Sequence, residues 1–102
     1  MNPQVAVIGT LKFPKERVAE VLPHLKTFVE ETRRKDGCIF FDVAEDLFEP
    51  GLIRVSELWP DKESLERHLQ APHVDPWRTA ARACGLGERQ FTAYAIDHSW
   101  SM

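Results

Sequence analysis

The order of strand-like and helix-like segments constrains the fold of this chain more than any other feature. VAVIGTLKF, residues 5–13, is rich in β-branched and apolar residues and stops at Pro14, which predicts a strand. Pro23 lies inside the next segment, Lys15 to Lys35, so we expect a helix that either kinks there or restarts with Pro23 in its first turn. The helix is predicted because apolar side chains recur there at three- and four-residue spacing: Val18, Leu22, Leu25, Phe28, Val29 and Thr32.

A hairpin, two short helices and a last strand are predicted after Asp36-Gly37. CIFFDVAED and LIRVSELW are strand-like and are joined across LFEPG, which carries a Pro-Gly turn signal. Asp61 is a good N-cap for a helix with Leu65 and Leu69 on its apolar side. Asp75-Pro76 predicts the start of a second helix, with an apolar stripe of Trp77, Ala80, Ala81 and Cys84, and RQFTAYAID alternates as a strand.

This order predicts one α+β domain over residues 1–102 with the ferredoxin-like (split βαβ) fold, an antiparallel sheet with helices on one face. Cys38, Ile39, Phe40 and Phe41 are consecutive and apolar, so both faces of the sheet need cover. One helical layer covers only one face. We therefore expect a homodimer in which two sheets pack face to face, a dimeric α/β-barrel type of assembly.

Charge and hydropathy patterning exclude several classes of partner. The formal net charge is -3, and the Lys and Arg residues of ETRRK are surrounded by acids, so we expect no nucleic-acid partner. No apolar stretch approaches the ~20 residues of a membrane span, and the N-terminal MNPQVAVIG lacks a basic segment followed by a long apolar run. We expect a cytoplasmic protein without a membrane partner.

Familiar catalytic and metal-binding motifs are absent from the sequence. His68 and His73 are five residues apart with Pro72 between them, whereas zinc-protease helices place two histidines four apart. No Cys or Asp joins them at a familiar ligand spacing, so we expect no metal site. No serine lies in a Gly-x-Ser-x-Gly turn, neither cysteine has a histidine close in sequence, and the glycines are scattered singly.

His68, His73 and Glu57 remain as candidate site residues. His68 follows Leu65 by three residues and lies at the edge of the predicted apolar stripe, so a boundary role and a catalytic role are both open. His73 lies at a helix junction, where capping is an alternative to catalysis. Glu57 shares a strand face with Val55 and needs a partner there, which a salt bridge would also supply. A histidine beside an apolar cavity can move a proton to or from a phenol or enol.

Three stretches, DGCIFFDVAED, ELW and SLERHLQAPH, occur in an order and spacing that resemble the antibiotic biosynthesis monooxygenase family, in particular its small quinol monooxygenase-like members. The similarity runs from about Val5 to the last strand. The resemblance implies a ferredoxin-like dimer with a hydrophobic pocket in each subunit. It also implies an enzyme that oxidises a quinol or related polycyclic phenol with O2, without metal, flavin or other cofactor.

Carried onto this sequence, the resemblance gives the proton-handling role to His68 and His73, with Glu57 orienting one of them or receiving the proton. The substrate-binding walls are then Trp59, Trp77, Phe91 and Tyr94, an assignment that follows the predicted elements. Haem-degrading relatives have an asparagine and a haem-ligating histidine where this chain has Gly9-Thr10 and Arg78, which disfavours haem degradation.

Two other functions fit the same residues. Isomerases of this fold act on a small phosphorylated autoinducer and resemble the HLQAPH segment; such a substrate needs cationic side chains, for which Lys12, Arg54 and Arg78 are candidates. Arg54 is therefore included among the predicted substrate-binding residues. The other reading is a dimer that binds a small molecule and has no catalytic activity.

Overall fold

A computed structural model describes residues 3–102, so the first two residues of the predicted domain lie outside the described part. The strands are β1 (Val5–Lys12), β2 (Phe40–Glu45), β3 (Leu52–Trp59) and β4 (Arg89–Ala95). The helices are α1 (Val18–Lys35), α2 (Lys62–Leu69) and α3 (Val74–Ala83), with a 3-10 turn at Lys15–Arg17. The predicted order of elements is confirmed.

The strands form one antiparallel sheet in the order β2-β3-β1-β4. Glu57 on the central strand β3 lies opposite Val7 of β1 on one side and Phe41 of β2 on the other. All three are buried, because the odd-numbered residues of these strands face the helical layer. This arrangement is the ferredoxin-like fold expected from the sequence.

Helix α1 runs without interruption through Pro23, so of the two predicted alternatives, a kink or a restart, the restart is wrong. Its buried face differs from the predicted one in a single position. Val21 is fully buried, whereas Leu22 is 42% exposed, because one residue further along a helix turns the side chain by about 100°. The other predicted positions are buried: Val18, Leu25, Phe28, Val29 and Thr32.

Helix α2 turns a more polar face inward than its sequence suggests. Asp61 caps it as predicted, accepting a hydrogen bond from the Ser64 backbone N–H at 2.7 Å. Ser64 and His68 are the buried residues of α2, whereas Leu69 is exposed, which corrects the predicted apolar side. The next helix begins at Val74, slightly before the predicted Asp75-Pro76 start, with His73 at its N-cap position.

The helices cover one face of the sheet and leave the other uncovered by the chain. One transverse row on the uncovered face joins Phe40, Leu58, Ala6 and Tyr94 across all four strands. Ile8, on the same face, is 58% exposed and Tyr94 is 52% exposed. The expected second apolar face is therefore present. Within residues 3–102, no helix is both long enough and apolar enough to cross a membrane.

Candidate functional site

A cavity of about 220 Å³ lies between the inner face of the sheet and the helices. Its walls are mainly aliphatic and aromatic, which suits an apolar ligand. Four polar side chains interrupt them: Glu57, His68, Arg78 and Arg89. The apolar lining comes from all three helices and all four strands, with Phe28, Leu65 and Trp77 on one side and Phe41, Val55 and Phe91 on the other.

His68 is held by a carboxylate from a distant part of the chain. Its Nδ1 lies 2.6 Å from Oδ2 of Asp36, the residue that follows the last turn of α1. Because a carboxylate accepts, Nδ1 carries the proton and Nε2 carries the lone pair. Nε2 has no protein partner among residues 3–102, and no buried side-chain nitrogen or oxygen there is unpartnered, so Nε2 opens into the cavity.

Burial keeps the imidazole of His68 neutral near pH 7. It lowers the pKa of His68 below its usual value, and the hydrogen bond to Asp36 opposes this effect without cancelling it. The charge of Arg78 lowers the pKa further. A neutral imidazole with its lone pair directed at a ligand cavity is a competent proton acceptor.

His73 reaches the same carboxylate from the other side. Its Nε2 lies 3.1 Å from Oδ2 of Asp36 and 3.2 Å from the hydroxyl of Thr32. The ring lines a second cleft beside His24 and does not line the cavity of His68. His73 therefore contacts Asp36 and has no direct access to a ligand in the main cavity.

Glu57 is a carboxyl group in an apolar setting at the cavity wall. Burial raises its pKa from 4.5 to about 7, against the opposing effects of the Trp59 N–H and the charge of Arg89. The indole Nε1 of Trp59 donates to Oε1 of Glu57 at 2.8 Å. Glu57 is thus close to half protonated near neutral pH and can either give or take a proton.

The sequence-predicted substrate residues divide between the two faces of the sheet. Trp77 and Phe91 line the cavity, whereas the fully buried Trp59 lies behind Glu57 and orients it. Tyr94 and Arg54 have even strand positions and lie on the opposite face, where Arg54 pairs with Asp46 at 2.7 Å. Neither contacts the cavity of the same subunit.

Sequence reasoning missed Asp36 and Arg89. Asp36 is 32 residues from His68, and only the tertiary fold brings the two side chains together. Arg89 is the first residue of β4. The alternation of side chains along a strand places it on the same face as Phe91, and this signal could have identified it.

The donor atoms of Asp36, His68 and His73 lie within 4.8 Å of one another and could hold a divalent metal ion. No familiar ligand spacing links Asp36 to the two histidines, and it approaches them from a distant part of the sequence. Hydrogen bonding among Asp36, His68 and His73 accounts for their approach without a metal.

These features define a small ferredoxin-like domain with an apolar cavity whose walls include a histidine and a carboxyl group. The model of the family described as antibiotic biosynthesis monooxygenase matches residues 4–80, and the chain belongs to that family. The crystal structure of a proposed antibiotic biosynthesis monooxygenase from Deinococcus radiodurans superposes with a TM-score of 0.88 at 28% identity, covering 96% of this chain and 97% of that one.

Two further proteins are similar to this chain. A conserved protein from Methanosarcina mazei Go1 has a TM-score of 0.83 at 26% identity, covering 91% of this chain and 92% of that one. An uncharacterized Synechocystis protein is 29% identical over 69 residues, which are 68% of this chain and 47% of the relative. The chain thus matches about half the length of that curated relative.

Proposed function

We propose that this protein is a cofactor-independent monooxygenase that oxidises a quinol or related polycyclic phenol with O2. The observation that carries the proposal is the lone pair of His68 Nε2, directed into an apolar cavity while Nδ1 is fixed by Asp36 at 2.6 Å. Family membership supports the reaction class.

The chemistry begins with a proton transfer. His68 takes the phenolic proton through Nε2, and the resulting phenolate is a far stronger electron donor than the phenol. Asp36 stabilises the imidazolium that forms, while the apolar walls keep water from the phenolate. The O–O bond and one ring C–H bond break: one oxygen atom becomes bonded to the ring carbon and the other leaves as water. A quinol and O2 thus give a hydroxyquinone and water, with all four electrons supplied by the substrate.

Glu57 serves as the second proton carrier. Its pKa of about 7 allows it to deliver a proton to reduced oxygen and to recover it from solvent in the same pH range. His73 positions Asp36 and is not assigned direct contact with substrate.

The first test measures O2 consumption by protein treated with chelator, using reduced naphthoquinols and anthrone with correction for autoxidation. His68→Ala should lower kcat roughly a hundredfold or more. His98→Ala, which removes an exposed histidine outside the cavity, should not. Labelled O2 should appear in the product. Hydrogen peroxide formed in place of an oxygenated product would contradict the monooxygenase reaction.

An isomerase acting on a small phosphorylated substrate is the second candidate, and Arg78 and Arg89 at the cavity favour it. Isomerisation needs no oxidant, so turnover under anaerobic conditions would identify it. If ligands bind without turnover, and His68→Ala leaves their affinity intact, the protein is a non-catalytic binding module.

We also infer that the working unit is a homodimer. Support comes from the exposed apolar row of Phe40, Leu58, Ala6 and Tyr94, with Ile8 beside it, on the face opposite the helices. A second copy of this sheet is a self-complementary partner for such a face.

A further inference from the structure

The cavity carries positive charge that the proposed proton transfer does not use. Most arginines with described partners are paired with a carboxylate, as in Arg17 with Glu20 and Arg33 with Asp42. Arg89 lines the cavity, yet it forms no ion pair with any residue between 3 and 102. Its guanidinium instead lies 4.5 Å from the ring centroid of Phe91.

The stack of Arg89 on Phe91 is built into the sheet. Phe91 lies opposite Gly9 of β1, and a Cβ at Gly9 would come within 2.2 Å of the Phe91 ring. The absent side chain therefore lets the ring lie close against the sheet. The ring in turn supports the guanidinium, whose planar fork remains able to bind a carboxylate through two hydrogen bonds.

Arg89 and Glu57 lie at different depths along the strands. Glu57 shares a row with Ala93, whereas Arg89 lies four residues before Ala93 on β4, a separation of about 13 Å along the strand. The side chain of Arg89 folds back over Phe91, so its charge still lowers the pKa of Glu57. Aromatic and aliphatic walls lie between these polar groups.

Arg78 extends the positive charge to the helical side of the cavity. It donates to the Leu69 carbonyl at 3.2 Å and lies 3.6 Å from Asp75, whose side chain is solvent-exposed. Arg78 lines the same cavity as Arg89. Two cations thus act on one apolar space.

We propose that the ligand of this cavity is an aromatic acid: a hydroxylated ring system that carries a carboxylate, which Arg89 binds while the hydroxyl meets His68. The inference rests on the proposed function only in using the same cavity. It narrows the substrate class from neutral quinols to quinol or phenol carboxylates. Arg89 is solvent-exposed where it lines the cavity, and a carboxylate on the ligand would give its guanidinium the ion partner that a neutral ring would not.

The test compares hydroxynaphthoates, with the carboxylate at several ring positions, with the corresponding neutral hydroxynaphthamides. Anaerobic titration calorimetry measures affinity without turnover. At least one acid should bind about tenfold or more tightly than its amide, the range expected for a charge-assisted hydrogen bond. Arg89→Gln should remove this preference and leave amide binding within about twofold.

Arg82→Gln is the matched control, because Arg82 is an exposed arginine of α3 outside the cavity. Arg89→Lys keeps the charge without the planar fork and should retain part of the preference. Thermal unfolding of each variant confirms that it is folded.

Equal affinity for acids and amides, or a preference that survives in Arg89→Gln, would overturn the inference. If naphthyl phosphate bound more tightly than the neutral amides and none of the carboxylates did, the inference would be overturned in favour of a phosphorylated ligand. Selective binding of the acids without O2 consumption would uphold the inference and reject the proposed oxygenase.

Discussion

Asp36 is the residue through which two histidines on different elements meet. Its Oδ2 lies 2.6 Å from Nδ1 of His68 and 3.1 Å from Nε2 of His73. The bond to His68 keeps the proton on Nδ1 and the lone pair on Nε2. Asp36 thus fixes the tautomer that can accept a proton from a ligand.

Replacing Asp36 with Asn should impair catalysis more than folding. The amide can donate to Nδ1 and favour the wrong tautomer, so kcat for a quinol should fall at least about tenfold. Nitrogen NMR of the imidazole should show the proton moving from Nδ1 to Nε2. Asp42→Asn, at an exposed carboxylate paired with Arg33, is the control. Unchanged kcat and unchanged tautomer would remove Asp36 from the mechanism.

Glu57 should make the protein less stable as pH rises. Its pKa is about 7 in the folded protein and 4.5, the ordinary value for this side chain, in the unfolded chain, so the folded state binds more protons between these values. The free energy of unfolding should therefore fall by roughly 3 kcal/mol across this window because of this group, and then level off. Burial of neutral His68 acts in the opposite direction below its ordinary pKa.

Glu57→Gln isolates that contribution. The unfolding free energy of the wild type minus that of Glu57→Gln, measured with urea from pH 4.5 to 8, should decrease as pH rises. Glu30→Gln on the exposed side of α1 is the control. A difference that stays constant over this range would show that Glu57 ionises normally in the folded protein.

At the scale of elements, the pairing of β1 with β4 depends on a glycine, Gly9, which has no side chain. Gly9→Ala would place a Cβ within 2.2 Å of the Phe91 ring and displace it. We expect a loss of about 1–3 kcal/mol in unfolding free energy, with weaker ligand binding because Phe91 lines the cavity. At Gly87 an added Cβ would meet its nearest described neighbour at an ordinary 3.6 Å, so Gly87→Ala should be tolerated. Equal stability of the two variants, from denaturant unfolding, would contradict this account.

Element order was readable from the sequence because long periodic segments and turn residues agree. Which side chains of a short helix face the core could not be read from the sequence. In α2, the Leu65/Leu69 pair and the Ser64/His68 pair differ by one residue, and only packing against β2 and β3 turns His68 inward against Phe41 and Trp59. Contact between Asp36 and His68 likewise depends on the tertiary fold, which no local pattern contains.

At the scale of the whole molecule, one face of the sheet lines the cavity and core, and the other is the proposed dimer interface. Odd-numbered positions of β1 and β3 face the cavity and core, whereas even-numbered ones carry the exposed apolar row. Ile8→Glu should convert the proposed dimer to monomers in sedimentation equilibrium, because a charge would be buried at the interface. Leu22→Glu, on the helical side, should leave the assembly intact. A monomeric wild-type protein at micromolar concentration would reject the dimer.

The length of helix α1 sets the position of Asp36 in the site. The helix contributes Thr32 within its last turns and Asp36 immediately beyond its end, while its middle is anchored in the core through Leu25 and Phe28. One residue added or removed between Phe28 and Thr32 would rotate Asp36 by about 100° and away from both histidines. The turn between β2 and β3 contributes no residue to the cavity. The length of α1 should therefore resist change in evolution more strongly than the length of that turn.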